Sequence, residues 1–270
     1  MLTSYNFKTI KNLDSINFLN RSFLYGEGFF ETIIVSNNHI KFLDDHYSRI
    51  SNACKAHHLQ FDYSVKDLEN HFFDLLNEDN SVSSWRIKMI VWRKNGTVFK
   101  SHGKENDILI TATPLTSHEK SSKLTNVGIC QSVRNHFSSF SSFKRTSSMH
   151  YTLAGMECSE KKWDDIVLLD YHSNISECLT SNLFWVKGAK VFTPSIKTGC
   201  IEGIMRKNII RFLNLNKIPV VYAETKIDQF LDDAEYAFST NVARVIPIEK
   251  IEGKLFADNE IGTQIMQQFS

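Results

Sequence analysis

The sequence lacks the features that mark disordered, membrane-spanning and nucleic-acid-binding proteins. It has only four prolines in 270 residues and no low-complexity tract, which leaves little room for a long disordered linker. Its 31 basic and 30 acidic residues nearly cancel, so charge gives no reason to expect a nucleic acid or a membrane surface as a partner. No apolar run approaches the length that spans a bilayer, and the first residues lack the apolar core of a signal peptide. We therefore expect a soluble protein.

The sequence also lacks paired cysteines, metal-ligand spacings and common nucleophile motifs. Its cysteines are odd in number, widely spaced and without a CxxC pair, which suits free thiols in a reducing cytoplasm. The ten histidines never form an HExxH spacing, and the serine-rich run 137–148 lacks GxSxG. The GEG at 26–28 lacks the third glycine of a dinucleotide-binding loop and precedes a strand-like run. We expect no metal, no serine nucleophile and no Rossmann-type site.

Length and pattern predict an α+β protein of two domains. The chain exceeds the usual size of a single core, and 42% hydrophobic with 23% charged residues is typical of globular proteins. Residues 1–113 are expected to form a small N-terminal domain, 114–124 a polar linker and 125–270 a larger C-terminal domain. Many short strands with interspersed helices, rather than regular βαβ alternation, argue against a doubly wound sheet.

Apolar spacing predicts a hairpin in the first domain and an amphipathic helix in the second. The β-rich runs 29–35 and 39–43 flank an SNN turn and are expected to pair. After the serine-rich run, Met149, Leu153 and Met156 recur at spacings of three and four residues. A helix with these residues on one face is predicted there.

Three chemical groups follow one another in an order that suits pyridoxal 5′-phosphate. Lys144 comes first, Glu177 follows thirty-three residues later (177 − 144), and a glycine-led turn at Gly203 then feeds a predicted helix. An amine can form an imine with the cofactor, a carboxylate can keep its pyridine nitrogen protonated, and backbone amides can hold its phosphate. The cofactor would supply the electron sink, and the protein its attachment and tuning.

The chain resembles the class IV aminotransferases, the fold-type IV pyridoxal-phosphate enzymes. These include branched-chain and D-amino-acid aminotransferases and 4-amino-4-deoxychorismate lyase. The resemblance is carried by YGEGFFET (25–32), DDHYSRI (44–50), SECLTSNLF (176–184) and FSTNVARVIPI (238–248). It implies a small N-terminal α/β sandwich and a larger C-terminal pseudo-barrel domain that carries the cofactor lysine. It also implies pyridoxal phosphate as cofactor, a small amino substrate and a homodimer.

The resemblance implies one catalytic residue and one partner for the cofactor ring. Lys144 matches the family's Schiff-base lysine, and Glu177 matches the glutamate that faces the pyridine nitrogen. The alternative for Lys144 is an ordinary surface lysine, which its fixed distance from SECLTSNLF argues against. The alternative for Glu177 is an edge-strand residue paired with Lys187 or Lys190. Asn182 in the same motif is expected to order the turn.

The resemblance also implies the phosphate contacts. Arg49 in HYSRI matches the family's phosphate-binding arginine, whose planar fork suits phosphate oxygens. The backbone amides of Ile204 and Met205 are expected at a helix N-terminus, where an anion is favoured. Asn241 in STNVA would complete the site. The family often has threonine at Met205 and Asn241, so hydroxyl contacts are lost here. The alternative for Arg49 is a solvated helix arginine.

Three residues are implied on the substrate side. Tyr25 and Glu31 in YGEGFFET match residues that line the family's substrate pocket, and Arg93 in VWRKNG is a candidate clamp for a substrate carboxylate. The alternative for Glu31 is a strand residue paired within the hairpin, and for Arg93 a solvent-exposed arginine beside a loop.

The sequence leaves the reaction open between a lyase and a transaminase. The runs NLFWVKGAKVFTPSIKTG and GIMR look more like aminodeoxychorismate lyases than branched-chain aminotransferases. The tyrosine that branched-chain enzymes have five residues after the lysine is replaced by Met149, with Tyr151 two residues later. Against the lyase, Glu31 stands where some lyases have threonine, and Phe99 where some have a catalytic tyrosine. The lyase is favoured, a transaminase is the alternative, and a non-catalytic cofactor-binding protein is a third possibility.

Overall fold

The computed structural model describes residues 1–14, 16–100, 103–115 and 123–269. These form two compact units, of which the first comprises Met1–His118 with Phe143–Ser148 and the second Glu119–Ser142 with Met149–Ser270. Most of the predicted linker, residues 116–122, lies outside the described residues. Within the described part of the chain, no helix has both the length and the apolar character needed to cross a membrane.

The first unit is built on one antiparallel sheet of six strands. The strands are β1 Leu2–Tyr5, β2 Lys8–Thr9, β3 Phe29–Ser36, β4 His39–Ile40, β5 Ser84–Arg93 and β6 Asn106–Pro114, in the order β2-β1-β6-β5-β3-β4. The helices are α1 Arg21–Tyr25, α2 Leu43–Ala56 and α3 Val65–Leu76. Apolar residues of α2 and α3 pack with those of the sheet to form the core. The predicted hairpin is confirmed, although β4 is short because α2 begins at Leu43.

The short segment Phe143–Ser148 pairs with the start of β3. The Phe30 N–H donates to the Lys144 carbonyl at 2.7 Å, and the Thr146 N–H donates to the Gly28 carbonyl at 3.0 Å. These bonds group Lys144 with the first unit, whereas the sequence placed it in the C-terminal domain. The difference arises because the segment pairs with β3 through an isolated bridge and two backbone hydrogen bonds, which sequence order cannot indicate.

The second unit contains two five-stranded mixed sheets. One has the order β12-β11-β10-β13-β14 and the other β16-β15-β7-β8-β9. The strands are β7 Val127–Ile129, β8 Asp165–Leu169, β9 Ile175–Cys178, β10 Asn182–Lys187, β11 Lys190–Pro194, β12 Val220–Ala223, β13 Tyr236–Asn241, β14 Arg244–Ile248, β15 Lys250–Ile251 and β16 Lys254–Leu255. The helices are α4 Met149–Glu160, the 3₁₀ turn Ile196–Thr198, α5 Ile204–Leu215, α6 Ile227–Asp233 and α7 Glu260–Phe269. Residues from both sheets share one core around Trp185 and Phe230.

Helix α4 packs on its small residues rather than on its large ones. Ala154 and Cys158 are buried against the β8 region. The predicted stripe of Met149, Leu153 and Met156 lies on one face, but its side chains are 69%, 43% and 56% exposed. Small side chains let the helix approach the sheet closely, and the bulky stripe is left outside.

Candidate active site

Lys144 has a fixed backbone and a half-buried side chain. Its carbonyl is held by the Phe30 N–H, and its Nζ lies 5.2 Å from the centroid of the Phe30 ring. The neighbouring Phe143 packs against the core of the first unit. Gly26 makes room for this segment, because a Cβ there would lie 2.9 Å from the Ser147 Cβ. The amine thus extends from a short segment whose neighbouring residues are anchored.

Arg49 on α2 is held by a buried carboxylate. Its Nε and Nη2 donate to the two oxygens of Glu31 at 2.6 and 2.8 Å, and its side chain is 11% exposed. His46 Nδ1 lies 2.8 Å from the same carboxylate. Burial would raise the pKa of Glu31, but the charge of Arg49 and the hydrogen bonds from His46 and Arg49 lower it to about 2.

This contact excludes one interpretation made from the sequence. Arg49 is a half-buried, bidentate partner of Glu31 rather than a solvated helix arginine. Glu31, predicted to line a substrate pocket, is 2% exposed and points at Arg49 and His46. Its observed contacts therefore orient the arginine. The guanidinium is held in place by this contact.

Arg93 belongs to a second buried network, centred on Glu27. Its Nε donates to Glu27 at 2.8 Å, its Nη1 to the Gly103 carbonyl at 2.7 Å, and its Nη2 to the His57 carbonyl. It is 6% exposed, so the interpretation as a solvated arginine is wrong. Arg21 donates to the other Glu27 oxygen. Burial would raise the pKa of Glu27, and the hydrogen bonds from Arg93 and Arg21 lower it below its ordinary value.

The predicted substrate residues of the first unit thus differ in exposure. The Arg93 guanidinium donates to two backbone carbonyls, those of Gly103, after β5, and His57, at the end of α2. It thus links these two parts of the chain. Tyr25, the last residue of α1, is 41% exposed, and its ring lies 6.0 Å from that of Phe99. Phe99 itself is 88% exposed. Of the three predicted substrate residues, Tyr25 alone has a side chain open to solvent.

In the second unit, Glu177 on β9 is a buried carboxylate with donors from three places. It is 2% exposed. The Tyr151 hydroxyl donates to Oε1 at 2.6 Å, the Asn135 Nδ2 to the same oxygen at 3.2 Å, and the Ile201 N–H to Oε2 at 3.1 Å. The proposed pairing with Lys187 is wrong, because Lys187 pairs with Asp233.

Tyr151 and Asn135 were missing from the residues predicted for this site. The sequence does carry a signal for Tyr151, because this tyrosine follows Lys144 by only a few residues. Asn135 had no local signal. The backbone of Asn135 forms an isolated parallel bridge with Asp170, just after β8. From there the Asn135 side chain donates to Glu177.

The N-terminus of α5 has no side-chain cap. Gly203 precedes the helix, and a Cβ there would lie 2.0 Å from the Asn182 Oδ1. Asn182 donates to the Ile201 carbonyl at 2.7 Å, so it ties the start of β10 to the turn before α5. The first N–H groups of a helix lack acceptors within the helix, so those of Ile204 and Met205 suit an anion. The Met205 side chain is fully buried, so the group that Met205 could offer to an anion is its backbone N–H.

Asn241, at the end of β13, is engaged in its own turn. Its Oδ1 accepts from the Ala243 N–H at 3.0 Å, and its Nδ2 donates to the Thr180 carbonyl at 3.4 Å. A separate cavity of about 310 Å³ lies beside α5, lined by Arg206, Lys207 and Tyr222 among others. It contains none of the predicted site residues. Among the described residues, no cluster of three His, Cys, Asp or Glu could hold a metal ion.

Comparison with known proteins agrees with the resemblance seen in the sequence. The family model for amino-transferase class IV matches residues 28–251. A probable branched-chain-amino-acid aminotransferase of Rickettsia bellii is 25% identical over 268 residues, covering 95% of this chain and 90% of that protein. An aminodeoxychorismate lyase of Vibrio harveyi is 23% identical over 235 residues, covering 86% and 85%. A solved branched-chain aminotransferase of Thermoproteus uzoniensis, with norvaline, gives a TM-score of 0.88 at 20% identity, covering 99% of this chain and 93% of that one. The expected fold is confirmed.

Proposed function

The chain belongs to the class IV aminotransferase family, whose members are pyridoxal-phosphate enzymes, and we propose that it acts as a 4-amino-4-deoxychorismate lyase. One observation carries this choice over a branched-chain aminotransferase. Met149, which replaces the tyrosine five residues after Lys144, is 69% exposed. The nearby Tyr151 hydroxyl donates to Glu177.

The residues present fit pyridoxal phosphate. A buried carboxylate such as Glu177 matches a protonated pyridine nitrogen, because an unpaired buried charge is costly. The uncapped start of α5 offers N–H donors to a phosphate. Gly203, which precedes this helix, has no room for a Cβ because one would meet Asn182. We propose that Glu177 serves the ring nitrogen and that Ile204 and Met205 serve the phosphate.

In the first unit, the proposed roles fall to Lys144 and Arg49. Lys144 would attach the cofactor through its amine, and the Phe30 N–H bond to its carbonyl fixes where the side chain begins. Arg49 would add positive charge to the phosphate, oriented by Glu31 and His46. Asn241 stays a weaker candidate, since its amide already closes its own turn. Tyr25 is the proposed substrate contact of this unit, because its side chain is open.

The reaction follows from what these groups can do. When bound, pyridoxal phosphate supplies an electron sink. Lys144 takes the proton from the ring carbon that bears the substrate amino group, and then returns a proton to the methylene carbon of the departing enolpyruvyl group. The ether C–O bond breaks, and the ring becomes aromatic. The atoms of the substrate equal those of pyruvate plus 4-aminobenzoate, so no water or other reactant enters.

A transaminase is the second candidate, because the similarity to branched-chain aminotransferases is as extensive as that to lyases. Lys144 would then return the proton to the cofactor, and a 2-oxo acid would leave. The two reactions share the lysine and the cofactor contacts. They differ in the products, which makes them separable by assay.

The purified protein should be supplied with aminodeoxychorismate, and pyruvate and 4-aminobenzoate should be measured together. Leucine, glutamate and D-alanine are tested in parallel as amino donors to 2-oxoglutarate. Equal release of pyruvate and 4-aminobenzoate supports the lyase. Oxo-acid formation from the amino donors, without pyruvate release from aminodeoxychorismate, would overturn it in favour of the transaminase.

Lys144→Ala tests the role of the amine directly. We expect it to abolish turnover and the visible absorbance of the bound cofactor. Lys161→Ala makes the same change on an exposed residue at the end of α4 and should leave both unaffected. A Lys144→Ala protein with normal absorbance would contradict the covalent role and favour a different attachment.

We further propose a homodimer in the cytoplasm. Five buried, free cysteines suit a reducing compartment. The exposed apolar stripe on α4, formed by Met149, Leu153 and Met156, suits burial against a second copy. Light scattering of the purified protein should give twice the chain mass of 31.1 kDa. Replacing the stripe with serines should reduce that mass if it lies in the interface.

A further inference from the structure

Tyr151 makes the shortest of the three described bonds to the buried carboxylate of Glu177. Its hydroxyl donates at 2.6 Å, while the Asn135 amide and the Ile201 N–H donate at 3.2 and 3.1 Å. A carboxylate that is 2% exposed has lost its water and depends on such donors to stay ionised. Hydrogen bonds to an ionised acceptor are shorter and stronger than neutral ones.

The two side-chain donors are themselves fixed. Tyr151 is on α4, which packs against the β8 region through Ala154 and Cys158. Asn135 is held by its own N–H, which donates to the Leu169 carbonyl at 2.8 Å, and its Nδ2 also donates to a serine hydroxyl at 3.0 Å. Because the three donors come from separate parts of the unit, turning the Glu177 carboxylate would break at least one bond.

We propose that Tyr151 is a positioning residue which, together with Asn135, holds the Glu177 carboxylate ionised and in one orientation for the cofactor ring nitrogen. This inference rests on the proposed role of Glu177. Tyr151 acts through Glu177 and not on the substrate. Its hydroxyl therefore matters only to a ligand whose ring carries a basic nitrogen.

That condition gives a binding test that does not depend on turnover. Full-length protein is stripped of cofactor and titrated with pyridoxal phosphate, or with an analogue that has carbon in place of the ring nitrogen. Wild-type protein should prefer pyridoxal phosphate. Tyr151→Phe should weaken pyridoxal-phosphate binding about tenfold and analogue binding about twofold or less, since one hydrogen bond to a charged group is lost.

Two controls make the comparison specific. Tyr171→Phe removes the same hydroxyl from a side chain that is 72% exposed, and it should change neither affinity. In a Glu177→Gln background, Tyr151→Phe should have no further effect on the preference, because the group through which it acts is gone. Asn135→Ser should also weaken binding of pyridoxal phosphate more than binding of the analogue. It is the variant to test if Tyr151→Phe does not fold.

The outcomes separate the inference from the proposed function. An equal loss of affinity for both ligands, or a lower melting temperature with an unchanged preference, would overturn the positioning role and leave a structural one. A wild-type protein that binds neither ligand would overturn the proposed function and this inference with it. A selective loss for pyridoxal phosphate supports both.

Discussion

Replacing Glu31 by glutamine should destabilise the first unit in a way that depends on pH. The pKa of Glu31 falls from 4.5 to about 2 in the folded protein because Arg49 and His46 overcome the effect of burial. A shift of this size stabilises the fold by about 3 kcal/mol at neutral pH. Breaking a buried ion pair by removing one partner costs a similar amount, about 3–5 kcal/mol. We therefore expect Glu31→Gln to lose about 3 kcal/mol at pH 7.

The sign of the pH effect follows from the lowered pKa. The stabilisation is fully present above pH 4.5 and is lost as the pH falls toward about 2. Wild-type protein should thus lose stability on acidification faster than Glu31→Gln. The difference between the two should shrink as the carboxylate is protonated.

Urea unfolding from about pH 7 down to about pH 3 measures this difference, and hydrogen exchange identifies whether β3 and α2 open first. Glu69→Gln is the matched control, since Glu69 pairs with Lys66, whose side chain is 72% exposed. It should change stability by about 0.5 kcal/mol or less. A Glu31→Gln loss no larger than that of Glu69→Gln, or a loss that is the same at every pH, would refute the reasoning.

Two further changes test local features. Ser64→Ala removes the hydroxyl that accepts from the Asp67 N–H at 3.1 Å in the capping box of α3, and should lower the unfolding free energy by about 1 kcal/mol in thermal or urea unfolding. Gly203→Ala places a Cβ 2.0 Å from the Asn182 Oδ1, so it should weaken binding of pyridoxal phosphate in a fluorescence titration. Gly155 lies within α4, and a Cβ there would be 3.6 Å from the nearest atom, in the Leu179 side chain. Gly155→Ala should therefore leave the binding of pyridoxal phosphate unchanged. Equal effects of the two alanines would contradict the role of Gly203.

Local pattern was sufficient for the elements that depend on local interactions. The hairpin of β3 and β4 follows from two β-rich runs around a tight turn. The helix with Met149, Leu153 and Met156 on one face follows from their spacing of three and four residues. In each case the decisive contacts lie within about twenty residues, where spacing carries the information.

Contacts made by tertiary packing could not be predicted. Nothing near Asn135 indicates that it meets Glu177, which lies on another strand. The stripe on α4 was predicted correctly as a stripe, but only packing shows that Ala154 faces the sheet and the methionines do not. Glu31 was assigned by resemblance to a substrate pocket, whereas the fold places Arg49 beside it.

The pairing of the segment Phe143–Ser148 with β3 fixes which of its residues takes the position of Lys144. Arg145 lies opposite Phe29 in an isolated antiparallel bridge, and in extended chain successive side chains face opposite ways. Deleting or inserting one residue before Lys144 would therefore bring the phenylalanine or arginine next to it into the place of the amine. Which side chain takes the place of the amine therefore depends on the length of the chain before it, whereas the two anchoring hydrogen bonds are made by backbone atoms.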